Sequence, residues 1–259
     1  MKLSKDIQPV RIKKMIKVIS GKKFVTVDNL CDLIDASPST IRRDLRTLEE
    51  KGVIDRFHGG AVIQKKISVP FSEREKENLE EKNKIAGKAI EIIKDNNIVI
   101  LDAGTTVMMV ARQLEKMSKK ALTIITPTIN IAQLLLGKAE FKIILSGGLL
   151  STESNSLLGV LSIEAFKKLM ADIAIMSCEA ISPSLEIMYS DLEIIQVKRA
   201  IMNSATYRVL IVDSSKFGKF SLASFGEIDL FDMVITDNRL SDKYINEIKK
   251  RNLKLVIAE

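Results

Sequence analysis

Apolar residues return at helical spacing through the first quarter of the chain and gather into short, nearly unbroken runs through the rest. Ile12, Met15, Ile16 and Ile19 mark one face of a helix over 7–20, which Gly21 ends. Thr26 is placed to cap a short second helix over 27–34, with Asp28 in its first turn, where the helix dipole favours a negative charge. Residues 35–37 make a tight turn into a third helix. Ser37 caps it, and Pro38 opens it with φ already set and no N–H left unpaired. Gly52 stops that helix. Two strand-like runs, 53–57 and 61–64, joined through His58-Gly59-Gly60, predict a hairpin. The order helix, helix, turn, helix, hairpin is that of a winged helix-turn-helix.

Residues 65–81 are polar and highly charged, contain Pro70, and read as a linker entering a helix that continues through Ile85, Ala89, Ile92 and Ile93. From residue 98 the texture changes. Apolar strands at 98–102, 122–126, 141–146, 172–176, 208–213, 231–236 and 253–258 alternate with helical segments. Those helices start at Val107, pass through Ile131 and Leu135, lie near Leu161 and around Ile195, and start again at Ser241. Such alternation predicts a mainly parallel sheet covered on both faces. The fold class is therefore α/β: an N-terminal winged helix-turn-helix domain over 1–64, a linker over 65–80, and a larger C-terminal α/β domain over 81–259.

Charge sharpens the reading of the first domain. The chain carries 40 Lys and Arg against 33 Asp and Glu, a formal net charge of +7. Residues 1–66 hold 15 basic and 8 acidic side chains, and 67–259 hold 25 of each, so the whole excess lies in the first quarter. On the third helix Ile41, Leu45 and Leu48 fall on one side, while Ser39, Arg42, Arg43 and Arg46 gather opposite. Arginine presents a planar fork that grips phosphate or the O6/N7 edge of guanine, and the short side chains of Ser37, Ser39 and Thr40 let the backbone come close to a groove. Arg56, His58 and Gly59 sit near the wing tip, placed to touch the DNA backbone. An ordinary solvated basic face would not confine the charge excess to one end of the chain. Double-stranded DNA is the partner these features predict.

Three strand ends in the second domain carry small polar residues: Asp102-Ala103-Gly104-Thr105-Thr106, Thr126-Pro127-Thr128 and Ser146-Gly147-Gly148. Gly104 lets backbone approach an anion, the threonines add hydroxyls, and a following helix N-terminus offers free N–H groups. The three loops are expected to converge on a pocket for a small phosphorylated or polyhydroxylated metabolite, with Lys198 and Arg199 either donating to it or forming a solvated helix face. No cofactor is expected. Cys31 and Cys178 stand far apart without a second pair, and His58 is the single histidine, which argues against a zinc site or a catalytic triad. Tryptophan is absent and aromatics make up 5%, too few for single-strand stacking platforms. No run reaches the ~18–20 uncharged residues of a bilayer span, and the N-terminus has no signal-like apolar core, so the expectation is a soluble cytoplasmic protein.

Thr40-Ile41-Arg42-Arg43-Asp44-Leu45, Leu48-Glu49, Gly52 and His58-Gly59-Gly60-Ala61 resemble the N-terminal signature of the DeoR family of bacterial transcriptional regulators. The 102–106 loop, Gly147-Gly148, Val197-Lys198-Arg199 and Asp213-Ser214-Ser215-Lys216-Phe217-Gly218 are similar to its sensor domain, so the likeness covers essentially the whole chain. The resemblance implies a sensor fold related to ribose-5-phosphate isomerase, a sugar phosphate effector, repression of carbohydrate-utilisation operons, and a dimer or tetramer. It places the effector at Asp102, Ala103, Gly104, Thr105, Thr106, Thr126, Gly147, Gly148 and Lys198. Two positions near the expected pocket depart from the family pattern: Pro127, where Asn is common, and Ser177-Cys178-Glu179-Ala180, in place of a glycine-rich Gly-Ala-Asp-Gly-like turn. The competing class is a sugar-phosphate isomerase-like enzyme with an accessory DNA-binding domain. The acidic turn of the isomerase is missing, fold alone does not carry chemistry, and the expectation is a non-enzyme.

Overall fold

The structure, a computed structural model, describes residues 10–12, 14–16, 18–19, 25–50, 53–57, 59–63, 71–117 and 121–259. The described residues of 10–19 are helical, and Ile12, Met15, Ile16 and Ile19 are buried, as their spacing requires. Gly21, Gly52, His58 and Gln64, which carry parts of the sequence reading, lie outside the described residues. Helix Val27–Ile34 starts at Thr26, whose hydroxyl accepts the Asn29 N–H at 3.2 Å, and ends on Asp35 in the left-handed region at φ 59°. Helix Pro38–Glu50 follows, with Ser37 Oγ accepting the Thr40 N–H at 3.3 Å.

The wing has one strand more than its hairpin. Strand β1 (Val25–Thr26) pairs antiparallel with β3 (Gly60–Ile63), which also pairs with β2 (Ile54–Phe57), giving the order β1-β3-β2. Ile41, Leu45 and Leu48 join Met15, Ile16, Leu30 and Ile54 in one apolar cluster beneath the helices. Within it lies a charge: Asp44 is fully buried, and Arg11 Nε reaches its Oδ2 at 2.5 Å, tying the first helix to the third.

The C-terminal domain is built on seven parallel strands in the order β15-β14-β12-β9-β4-β5-β6. These are β4 (Ile98–Leu101), β5 (Thr123–Thr126), β6 (Lys142–Leu145), β9 (Ala171–Met176), β12 (Ala205–Ile211), β14 (Met233–Asp237) and β15 (Lys254–Ala258). Successive side chains of a strand face opposite sides. Accordingly Val99, Ile173, Val209 and Met233 pack under helices Leu79–Glu91, Thr105–Lys116 and Ile129–Leu135. Ile100, Ala174, Leu210 and Val234 pack under helices Val160–Lys167, Leu192–Met202 and Asp242–Lys250. The sheet is thus apolar on both faces, which explains its unbroken apolar strands.

Three features differ from the sequence reading. The stretch expected as linker already contains helix Phe71–Lys76, whose Phe71 is buried against the domain. A hairpin of β7 (Leu149–Ser151) and β8 (Ser156–Leu158) follows β6. A small antiparallel sheet of β10 (Ala180–Ile181), β11 (Glu186–Tyr189) and β13 (Ala223–Glu227) sits beside the main one. Strands of two to five residues interrupted by turns leave no periodic signal to read.

Asp44 Oδ1 is buried with no hydrogen-bond partner among the described residues, so Arg11 supplies the neutralising contact. Arg11→Ala is expected to destabilise the protein by about 1–3 kcal/mol, the cost of leaving a buried polar group unmatched. The measurement is a denaturant midpoint that falls with no change in slope.

Candidate functional site

Helix Pro38–Glu50 divides cleanly. Ile41, Asp44, Leu45 and Leu48 are buried, whereas Ser37, Ser39, Arg42, Arg43 and Arg46 are exposed and Thr40 is half-buried. Ser37 Oγ lies 3.0 Å from Ser39 Oγ and 2.9 Å from Thr40 Oγ1, so the start of the helix is a compact hydroxyl cluster. None of Arg42, Arg43 and Arg46 has an ion-pair partner among the described residues, leaving three guanidinium groups for an external anion. On the wing, Arg56 Nη1 pairs with Glu49 Oε2 at 3.1 Å. Exposed pairs of this kind contribute only ~0–1 kcal/mol, so a phosphate can compete for Arg56. Gly59, at φ 84°, makes the wing turn.

In the second domain the strand order reverses direction between β4 and β9: β5 and β6 extend one way from β4, and β9, β12, β14 and β15 the other. Open α/β sheets bind ligands beyond the carboxyl ends at such a point. A cavity lies there. Its walls are Gly104, Thr105 and Thr106 after β4, Ser177, Cys178 and Glu179 after β9, Asp213 and Lys216 after β12, with Arg74 and Tyr189 closing it. Its water-accessible space is about 40 Å³, and it is partly open to solvent.

Of the residues expected at this site, Gly104, Thr105 and Thr106 line the cavity. Asp102, Ala103 and Lys198 stand behind its wall. Lys198 is fully buried; its Nζ bonds the Asp102 carboxylate and donates to Ser177 O at 2.9 Å and Ala103 O at 3.5 Å. The ammonium also lies 5.2 Å from the Tyr189 ring and 5.8 Å from the Phe225 ring. It fastens the ends of β4 and β9 together. A Cβ at Gly104 would stand 2.1 Å from Ser177 Oγ and push that hydroxyl off its bond to Ala103 O. The neighbouring Arg199 is exposed and donates to Ser224 O at 3.1 Å.

Thr126, Gly147 and Gly148 do not line this cavity. Thr126 Oγ1 accepts the Thr128 N–H at 3.1 Å, and a Cβ at Gly148 would meet Leu158 O at 2.3 Å; both residues serve the β7–β8 hairpin. Pro127 belongs there too, its carbonyl accepting the Leu157 N–H at 2.7 Å.

Several lining residues were not assigned to the site from sequence. Asp213 is fully buried. Its Oδ1 accepts from Asn78 Nδ2 at 3.2 Å, from the Ser215 N–H at 3.1 Å and from the Ser215 hydroxyl, while Oδ2 has no partner among the described residues. Lys216, half-buried, has no ion-pair partner among them. Glu179 accepts the Ser190 N–H at 2.9 Å. Burial pushes the Cys178 thiol and the Tyr189 phenol each up to about 12, so both stay protonated, and Arg74 bonds the Tyr189 hydroxyl. Burial likewise pulls the Lys82 amine down to about 8, against the opposing pull of Asp213; it donates to Arg74 O and holds that helix in place. A strand-end Asp followed by Ser-Ser-Lys was the signal available for the Asp213 cluster.

Helix Thr105–Lys116 begins at Gly104 with no side-chain cap. At this uncapped start Gly104, Thr105 and Thr106 share the cavity lining with Lys216 and Arg74, an arrangement suited to an anion.

Residues 77–238 match the family profile described as the DeoR C terminal sensor domain, and 11–67 match that of the DeoR-like helix-turn-helix domain. The chain is 32% identical to the glycerol-3-phosphate regulon repressor of Escherichia coli (strain K12) over 231 residues, 89% of this chain and 91% of the relative. It is 32% identical over 251 residues to the HTH-type transcriptional regulator GolR of Listeria innocua, covering 96% of this chain and 98% of the relative. Among solved structures, ribose 5-phosphate isomerase A from Methanocaldococcus jannaschii is similar over 54% of this chain and 55% of that one, with 17% identity and a TM-score of 0.41.

Because Lys198 neutralises a buried carboxylate, Lys198→Ala is expected to cost about 3–5 kcal/mol. The double variant Asp102→Leu/Lys198→Met should recover most of that loss, as measured by denaturant unfolding of both proteins.

Proposed function

The chain belongs to the DeoR family of transcriptional regulators, and from that premise we propose that it represses a carbohydrate-utilisation operon under the control of a phosphorylated sugar or polyol bound in the cavity at the β4–β9 junction. The carrying observation is the buried Oδ2 of Asp213, without a partner among the described residues, set beside an uncapped helix N-terminus and Lys216. A buried acceptor without a donor is costly. A ligand with a phosphate at one end and hydroxyls at the other meets both demands: its phosphate takes the 105–107 N–H groups, Lys216 and Arg74, and its hydroxyls donate to Asp213 and Glu179.

The reading of the DNA interface rests on the exposed Arg42, Arg43 and Arg46, with Ser37, Ser39 and Thr40 at the helix start. One such helix covers one half-site, so the protein acts as a homo-oligomer, a dimer or tetramer, on a two-fold operator. It works in the cytoplasm. We read the cavity as a sensor and not as a catalytic pocket, since the Lys198 ammonium is committed to Asp102 and backbone carbonyls. Among the described residues no helix is long and apolar enough to cross a membrane.

On a duplex selected from a random pool by the wild-type protein, Arg42→Ala is expected to lose ~1–3 kcal/mol if it reads a base. Each lost phosphate contact lowers the salt slope by about one. Titrations at several salt concentrations measure both, and undiminished affinity in Arg42→Ala/Arg43→Ala would remove the assignment.

For the pocket, a panel of phosphorylated sugars and polyols should contain a compound that raises the melting temperature, since ligand at 100 Kd stabilises by about 2.7 kcal/mol. Asp213→Ala and Lys216→Ala should each abolish that rise. Turnover of any of these compounds by the full chain would instead favour the isomerase-like reading.

A further inference from the structure

The small antiparallel sheet has two occupied faces. Ala180 and Met188 are cross-strand partners, and so are Ile181 and Ile187. Because neighbours along a strand face opposite sides, the first pair points away from the second. Ile181 and Ile187, with Tyr189, pack into the core of the C-terminal domain. Ala180 and Met188, joined by Phe220, pack into the apolar cluster of the winged helix, with Leu45, Leu48 and Ile54.

The same short segments carry cavity residues. Glu179 precedes Ala180, Tyr189 follows Met188, and Lys216 begins the stretch that ends at Phe220. The segments are hydrogen-bonded to one another. The Glu179 N–H donates to Met188 O at 3.2 Å, the Glu179 carboxylate accepts the Ser190 N–H at 2.9 Å, and the Lys219 N–H donates to Ile181 O at 3.2 Å. A shift of the cavity wall is therefore a shift of the surface beneath the winged helix.

From this arrangement we infer that the β10–β11 hairpin and the 216–220 stretch form a common wall between cavity and winged helix, through which filling the cavity repositions the DNA-binding domain. A phosphate ester in the cavity meets Glu179, Tyr189 and Lys216, which belong to this wall, so its contacts act on the wall directly. Among the described residues, Ala180, Met188 and Phe220 are the buried apolar side chains this wall adds to the winged-helix cluster. Core packing has discrete arrangements, so a small displacement at such a contact selects docked or undocked states instead of stretching one. The device rests on the ligand-pocket reading for its input, but the wall itself is tested without any ligand.

The test follows hydrogen exchange in the full chain, with the wing amides at 54–57 and 60–63 as reporters and inorganic phosphate as the pocket probe. Glu179→Ala frees the Ser190 N–H and is expected to change wing exchange roughly 2- to 30-fold, the span of measured coupling effects. In the Met188→Ala/Phe220→Ala background the same substitution should leave the wing unchanged. If Glu179→Ala does not melt cooperatively, Asp213→Asn replaces it with the same expectation. Wing exchange that ignores both pocket variants, or a response that survives in full in the Met188→Ala/Phe220→Ala background, overturns the coupling. Phosphate protection of the 104–107 amides reports separately on the anion site. Protection there with an unresponsive wing sinks the coupling alone, while a responsive wing without protection supports the coupling and sinks the anion reading.

Discussion

The buried contact between Lys198 and Asp102 is the constraint on which the sensor half is organised. Neither group reaches water, and each ion taken from solvent costs several kcal/mol unless its partners are well placed. The partners are the carboxylate, two carbonyls and two aromatic faces. The carboxylate and carbonyls belong to the ends of β4 and β9, adjacent strands at the point where the sheet reverses its winding, and the rings of Tyr189 and Phe225 to β11 and β13. One ammonium thus fixes the separation of the two loops that form opposite walls of the cavity. Having done so, it has no donor left for a ligand, and the polar side chains lining the cavity are those of Arg74, Lys216, Asp213 and Glu179, with the threonines after β4.

The winged helix solves a related problem differently. Its third helix must bury one side and expose three arginines on the other, and the apolar side contains Asp44. Arg11, itself one-fifth exposed, neutralises that carboxylate from the edge of the cluster. Basic residues are therefore divided between holding the domain together and facing outward. Net charge alone, +7, says nothing about this division; burial decides it residue by residue.

Much of this was legible in sequence where a local rule applied. Caps at Thr26 and Ser37, the periodicity of Ile41, Leu45 and Leu48, and the alternation of apolar strands with helices all reappear in the structure. Adjacency along the chain was less informative. The loops after β4, β5 and β6 are successive in sequence, yet the cavity joins β4 to β9 and β12, because a doubly wound sheet places its crevice between strands that are far apart in the chain. The pair Lys198-Arg199 shows the same limit at smaller scale. One helical step of 100° separates a fully buried cation from an exposed one, and composition does not distinguish them. The short strands at 180–181 and 186–189 gave no periodic signal at all.

Those unreadable strands carry the consequence that matters most for regulation. An effector alters DNA affinity only by binding two arrangements of the protein unequally. The cavity wall docked against the winged helix is one such arrangement, and the wall displaced by a ligand is the other. Where the displacement is absorbed decides whether the DNA-binding end responds. The β4 and β9 ends are pinned by Lys198, and the far face of the sheet is packed against helices. The thin sheet carrying Glu179 and Tyr189 meets that ammonium through the Tyr189 and Phe225 rings, a softer contact than the carboxylate and carbonyls at the β4 and β9 ends. Its outer face meets the winged helix at Ala180 and Met188. Rigidity on one side of the cavity thus directs displacement to the other, and the ion pair that excludes Lys198 from ligand contact is also what gives ligand entry a direction.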